Sequence, residues 1–270
     1  MLLSTFAFSL MQLCVKFLSH LPALELVLFR SSISLVLSLV FLRRIGVNPF
    51  GNNKKFLILR GVFGVTALSM FFITLQNIPL ATAVTLQYLS PVFTAIFAIW
   101  MLGERMKPIQ WLFFAIAFSG VALIKGFESE VELLYFALGL GSAVFAGLAY
   151  NCVRILRNSE HPVVIVFYFP LIATPLMAIA SFFIWVTPVG WDWLLILFLG
   201  LFTQVGQVYM TKALQAETAN KVTSLKYLGT LYALLYGLFI FGETYSLWSI
   251  VGISLVLFGV ILNIRTKSAV

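Results

Sequence analysis

The chain is 270 residues long, 61% hydrophobic and only 10% charged, with seventeen Lys and Arg against nine Asp and Glu. Soluble domains carry about 25% charged residues, so this composition cannot cover a water-facing surface, and the mean hydropathy of +1.06 agrees. A soluble enzyme, a disordered chain and a nucleic-acid-binding domain are excluded despite a pI near 9.6; the class is an all-α polytopic membrane protein.

A spanning helix needs about 20 apolar residues, and the apolar runs here are long and continuous, unlike the short alternating strands of a barrel. Pro, Gly and charge punctuate ten of them, at 2–18, 24–42, 56–76, 81–101, 109–124, 133–153, 163–186, 191–211, 219–241 and 247–264. The first run lacks the basic start and small-residue cleavage site of a signal peptide and reads as a helix. Its Thr5, Ser9, Gln12 and Lys16 recur at helical spacing along one face. Arg30 lies inside the second run and Gln76 closes the third. The fourth carries Gln87 and Tyr88, then Pro91, which should kink it and make it a moving part. It ends on Gly103-Glu104, ahead of Pro108, which suits the first turn of the fifth.

The sixth run sets Ala143, Gly147, Tyr150 and Arg154 on one face, with Asn151 alongside, and the eighth holds Gln204 and Gln207. In the ninth, Lys226 shares a face with Thr223, Tyr227 and Thr230, and the run ends on Gly242-Glu243 before Ser246, a natural cap for the tenth. The fifth and tenth carry little polarity, with Gly120 and Gly259 as close-packing points, and read as outer supports. Cys14 and Cys152 lie inside apolar runs and read as small buried hydrophobes.

Charge in hydrocarbon is costly and marks function by default. Lys226 holds a substrate carboxylate or phosphate, or counters an acid, or snorkels to the interface. Arg30 grips a carboxylate with its planar fork, ties helix carbonyls together, or reaches outward toward Glu25 and His20. The amides and tyrosines line a polar path or satisfy one another between helices. The Gly-Glu motifs read as linkers whose carboxylates answer the dipole of the next helix, with an ion-paired gate as the alternative.

Thirteen bases fall on one side of this topology, Arg60 and Arg154 among them, and only Lys16 and Lys125 on the other. The asymmetry places both termini in the cytoplasm of a bacterial inner membrane protein. The two halves also repeat. A shift of 139 sets Gln76 on Gln215, Tyr88 on Tyr227, Gly103-Glu104 on Gly242-Glu243 and Gly120 on Gly259; a shift of 138 sets Ser4 on Ser142, Cys14 on Cys152 and Lys16 on Arg154. Residues 1–130 and 131–270 thus read as two five-helix repeats, and five being odd, the second is inverted, as in many secondary transporters.

The runs Leu68-Ser69-Met70-Phe71, Ile78-Pro79-Leu80-Ala81-Thr82-Ala83, Ser90-Pro91-Val92-Phe93 and Leu102-Gly103-Glu104-Arg105 resemble the EamA branch of the drug/metabolite transporter superfamily. Leu225-Lys226-Tyr227-Leu228 and Phe241-Gly242-Glu243 are similar to the same branch. The resemblance covers nearly the whole chain. It implies two inverted repeats around a central cavity lined by the first, third, fourth, sixth, eighth and ninth helices, and movement of small metabolites by alternating access.

The expected function is secondary transport of small polar metabolites, amino acids or related carboxylate-bearing and zwitterionic compounds first. Uptake or exchange of S-adenosylmethionine-like or phosphorylated metabolites is the alternative, and a passive channel or a non-transporting membrane scaffold the reading from another class. The substrate-binding set is Lys226, Arg30, Tyr227, Tyr88, Gln87, Gln76, Asn151, Tyr150, Gln204, Gln207 and Gln12, with Pro91 for gating. No Walker motif is present, and His20 and His161 lie at loops, so neither ATP hydrolysis nor catalysis is expected. No cofactor, metal or nucleic-acid partner is expected; the partners are a small-molecule substrate and the bilayer.

Overall fold

The computed structural model describes residues 1–127, 132–216 and 228–266. The described residues form eleven helices: α1 (Leu2–Phe17), α2 (Ala23–Arg44), α3 (Lys54–Asn77), α4 (Leu80–Gln87), α5 (Ser90–Leu102), α6 (Pro108–Phe127), α7 (Leu133–Leu156), α8 (Pro162–Phe182), α9 (Asp192–Ala216), α10 (Leu228–Phe239) and α11 (Leu247–Arg265). They follow the ten apolar runs in order, with the fourth run divided between α4 and α5.

Seven helical segments are long and apolar enough to cross a membrane, Leu80–Leu102 counting as one; α1, α10 and Leu247–Asn263 are shorter apolar helices. Their outer faces carry large exposed side chains such as Trp100, Phe182, Phe183 and Phe239, a surface suited to lipid rather than water.

Local chemistry sets the ends. Asn53 and Ser246 accept backbone N–H bonds from Phe56 and Ser249 and so cap α3 and α11. Both Gly-Glu motifs are left-handed turns, with φ of 69° at Gly103 and 62° at Gly242. Each turn folds the next amide back on its helix, Glu104 N–H to Ala98 O at 3.2 Å and Glu243 N–H to Gly237 O at 2.8 Å. Glycine is favoured there because a Cβ resists positive φ. Each carboxylate is thereby aimed inward from a helix end.

The packed pairs are α1 with α9, α3 with α7, α2 with α8, α6 with α11, α5 with α7, α1 with α10, α2 with α9 and α3 with α8. The α6–α11 contact is backbone on backbone: a Cβ on Gly120 would stand 2.5 Å from Gly252 O, and one on Gly259 2.6 Å from Phe113 O. Gln110 donates to Asn263 at 3.0 Å, buried in the same seam.

Polar contacts tie the loops at each end of the bundle. At the end reached by Lys16, His20 meets Asp192 at 3.1 Å and Glu25 accepts the Val186 N–H at 3.1 Å. At the end reached by Arg154, Glu160 accepts the N–H groups of Asn52 and Asn53, each at 2.6 Å, and Tyr168 donates to Phe50 O at 2.8 Å.

Candidate functional site

Lys226 and Tyr227, the leading residues of the expected site, lie outside the described residues, as do Thr223 and Glu217. The charged interior that is described centres instead on two arginines. Arg30 of α2 is 2% exposed and Arg60 of α3 is 7% exposed. Their guanidinium carbons stand 5.2 and 5.5 Å from the centre of one ring, Phe169 of α8. Arg30 also lies 5.9 Å from the Phe72 ring centre, and its Nε donates to Thr203 Oγ1 of α9 at 2.9 Å.

Backbone geometry makes room for this cluster. A Cβ on Gly64 would fall 2.2 Å from Arg60 Nη1 and 2.7 Å from Phe169 Cδ2. Gly61 likewise admits Ile172 and the Tyr168 carbonyl. The energetics are unbalanced: each cation–π contact is worth about 0.5–2 kcal/mol, against several kcal/mol to strip water from one ion. Arg30 Nη1 and Arg60 Nε are buried without a hydrogen-bond partner. No carboxylate pairs with either arginine among the described residues.

Two expectations are corrected here. Arg60, one of the thirteen bases expected to orient the chain from its cytoplasmic side, is instead buried within α3. It falls inside the run at 56–76, and that position was the signal to read. Arg30 does not reach outward toward Glu25 and His20, because these are engaged with Val186 and Asp192 while Arg30 turns to Thr203 and the rings.

The amides are mostly engaged in holding helices and loops. Gln76 donates to Leu21 O at 2.9 Å and Leu18 O at 3.4 Å, bracing the α1–α2 loop. Gln87 accepts from Ser142, and Gln204 donates to Ser38 at 3.1 Å. Asn151 donates to Thr94 O at 2.9 Å and Gly147 O at 3.2 Å, joining α7 to α5. Gln12 is buried in α1 and Gln207 is half-buried in α9. The Tyr88 hydroxyl sits against the start of α10, 2.0 Å from where a Gly229 Cβ would stand. Pro91 lies in the first turn of α5, directly after a two-residue break at Tyr88-Leu89, so the fourth run is divided just ahead of the proline.

The Gly-Glu carboxylates both find cations across the chain. Glu243 pairs with Lys16 at 3.0 Å and also accepts from Leu80 N at 2.9 Å and Tyr245 OH at 2.6 Å; Lys16 donates to Ile78 O at 2.8 Å. Glu104 pairs with Arg154, which also contacts Asn151 Oδ1 at 3.4 Å. The first pair is largely buried, at 15% and 12% exposure, and the second less so, at 41% and 30%. No cluster of metal-ligating residues occurs among the described residues.

An all-helical bundle with an apolar exterior, buried unpaired cations, an interrupted helix and ion pairs at helix ends has the make-up of an integral membrane transporter. The chain belongs to the EamA-like transporter family, which matches residues 1–126 and 133–265. It is 34% identical over 268 residues to the pseudopaline exporter CntI of Pseudomonas aeruginosa (strain UCBPP-PA14), covering 98% of this chain and 94% of that one. It is 32% identical over 270 residues to human solute carrier family 35 member G1, covering 93% of this chain and 74% of the relative. A solved crystal structure shares the fold, with a TM-score of 0.69 and 19% identity over 96% of each chain. These named relatives are transporters, not enzymes.

Proposed function

We propose that the chain is a secondary carrier working by alternating access, its ten helices forming two inverted five-helix repeats, 1–130 and 131–270, around a central site. One observation carries this reading. Lys16 and Arg154 are matched by the internal shift, and so are Glu243 and Glu104; the pairs that form are Lys16–Glu243 and Glu104–Arg154. Exchanging the halves turns one ion pair into the other. The helix packing supports the same exchange: α1–α9 maps to α3–α7, α2–α9 to α3–α8, and α1–α10 to α5–α7, while α2–α8 and α6–α11 map to themselves.

Each pair closes one end of the bundle, and transport opens them in turn. The basic residues orient both termini toward the cytoplasm of a bacterial inner membrane, so Lys16–Glu243 faces outward. The cargo is a small polar metabolite, with amino acids and related carboxylate-bearing or zwitterionic compounds first, held by the arginine cluster together with Lys226, Tyr227, Tyr88 and Tyr150. Pro91 and the α4–α5 break supply the hinge.

The test is counterflow in proteoliposomes with a metabolite panel, repeated on Lys226→Ala. A carrier is accelerated by substrate on the trans side; a channel is not. Absence of acceleration with every compound would remove the carrier reading, and unchanged uptake in Lys226→Ala would remove that residue from the site.

A further inference from the structure

We propose that Arg30 and Arg60 form one anion subsite against the Phe169 ring, and that it narrows the cargo class of the carrier reading to compounds bearing two carboxylates, acidic amino acids included, over neutral zwitterions and monocarboxylates. The inference rests on the carrier reading for its physiological use, though not for its chemistry.

Both guanidiniums are more than nine-tenths buried, both lie within 5.5 Å of the same ring centre, and each keeps a buried nitrogen without a hydrogen-bond partner. A buried cation is tolerated when it is paired or when it awaits an anion. None of the described carboxylates forms an ion pair with either arginine: Glu160 and Asp192 accept loop N–H groups, Glu25 accepts one with Oε2 and keeps Oε1 buried without a partner, Glu104 and Glu243 hold Arg154 and Lys16, and Glu132 is exposed ahead of α7.

Thr203 takes the Nε of Arg30, and the buried Nη1 of the same guanidinium is left without a partner. Carboxylates match a guanidinium edge with two parallel bonds. Two fixed positive charges in a low-dielectric interior are neutralised by two negative charges; a zwitterion brings none in sum and a monocarboxylate brings one. Residues from α2, α3, α8 and α9 converge here, so the subsite is built by the fold and not by one helix.

The experiment is thermal unfolding of the purified chain in phosphatidylcholine nanodiscs, where anionic lipid is absent, titrated with succinate, L-aspartate, acetate, L-alanine and inorganic phosphate. Ligand that binds the folded state raises the midpoint in proportion to its affinity. Succinate should bind at least tenfold more tightly than acetate and L-alanine, and L-aspartate, whose ammonium leaves a net charge of −1, more tightly than L-alanine; Arg30→Gln and Arg60→Gln should each weaken succinate at least tenfold. Arg30→Lys and Arg60→Lys keep the charge and lose the fork; they should weaken succinate less, and they carry the test if the Gln variants do not fold. The proposal is overturned if L-alanine binds as tightly as L-aspartate, if phosphate binds more tightly than succinate, or if the substitutions leave succinate affinity unchanged.

Counterflow separates this failure from that of the carrier reading. Dicarboxylate binding without counterflow of any compound keeps the subsite and removes the carrier. Counterflow of L-alanine without dicarboxylate binding does the reverse.

Discussion

Removing the charge of Glu243 should open the Lys16 end of the bundle while leaving the helices folded. Glu243→Gln is nearly isosteric and keeps an oxygen for the Leu80 N–H, so the main loss is the 3.0 Å contact with Lys16. Breaking a fully buried pair costs about 3–5 kcal/mol, and an exposed one contributes about 0.2–1 kcal/mol. At 15% and 12% exposure this pair lies between these limits, at about 1–3 kcal/mol. If the pair exists only while that end is closed, the conformational equilibrium shifts by roughly 5- to 150-fold.

The chain carries its own reporters of such a shift. Cys14 and Cys152 are buried, each two residues before the cation of one ion pair. Maleimide labelling of Cys14 should accelerate in Glu243→Gln by about the same factor, while Cys152 slows or holds. Glu104→Gln should accelerate Cys152 instead. Joining Lys16→Glu to Glu243→Lys should restore only part of the closure, because a lysine cannot accept the Leu80 N–H. Acceleration of both thiols in Glu243→Gln would mean general loosening and would refute the exchange. No change in either would refute the gate.

Other perturbations test the scaffold. Gly64→Ala should cost about 1–3 kcal/mol by overpacking, since its Cβ falls 2.2 Å from Arg60 Nη1; the unfolding midpoint drops and anion binding weakens together. Gly120→Val and Gly259→Val should each destabilise by a similar ~1–3 kcal/mol, because α6 and α11 meet backbone to backbone there; a lower midpoint with unchanged substrate preference is expected. Asn151→Ala removes the donors to Thr94 O and Gly147 O and should cost about 1–3 kcal/mol, again without altering the order of affinities. A changed order would return Asn151 to the binding site.

How much of this was legible beforehand depended on the range of the interaction. Apolar runs and their Gly, Pro and Ser punctuation are local, so the helix order could be read from neighbouring residues, whereas the expected mid-helix kink at Pro91 is instead a break just ahead of it. The repeat made Lys16 equivalent to Arg154 and Glu104 to Glu243, but equivalence does not say which cation meets which anion. Those pairs form between residues remote in sequence. Arg60 misled for a related reason: near a helix start, a base serves equally as a topology signal or as a buried group. Only the approach of Phe169 and the gap left by Gly64 decide. For the amides both readings were open in the sequence, since an interhelical or loop carbonyl satisfies Gln76 or Asn151 just as a ligand would.

The arginine cluster and the two ion pairs share one property that bears on coupling. Arg30 and Arg60 come from the first half of the chain, and Phe169 and Thr203 from the second. Lys16 and Glu104 come from the first half, and their partners Glu243 and Arg154 from the second. An anion held between the arginines and the second half therefore touches the same two bodies that the ion pairs join. A ligand shifts a conformational equilibrium only through different affinity for its states, and under the proposed motion of the two halves a site contributed by both supplies that difference directly. The two ends are also unequal: the Lys16–Glu243 pair is more buried and carries additional bonds to Ile78, Leu80 and Tyr245, while the Arg154 pair is nearly half-open to solvent. On the proposed carrier reading, the Lys16 end should therefore be held more firmly and the Arg154 end should yield first.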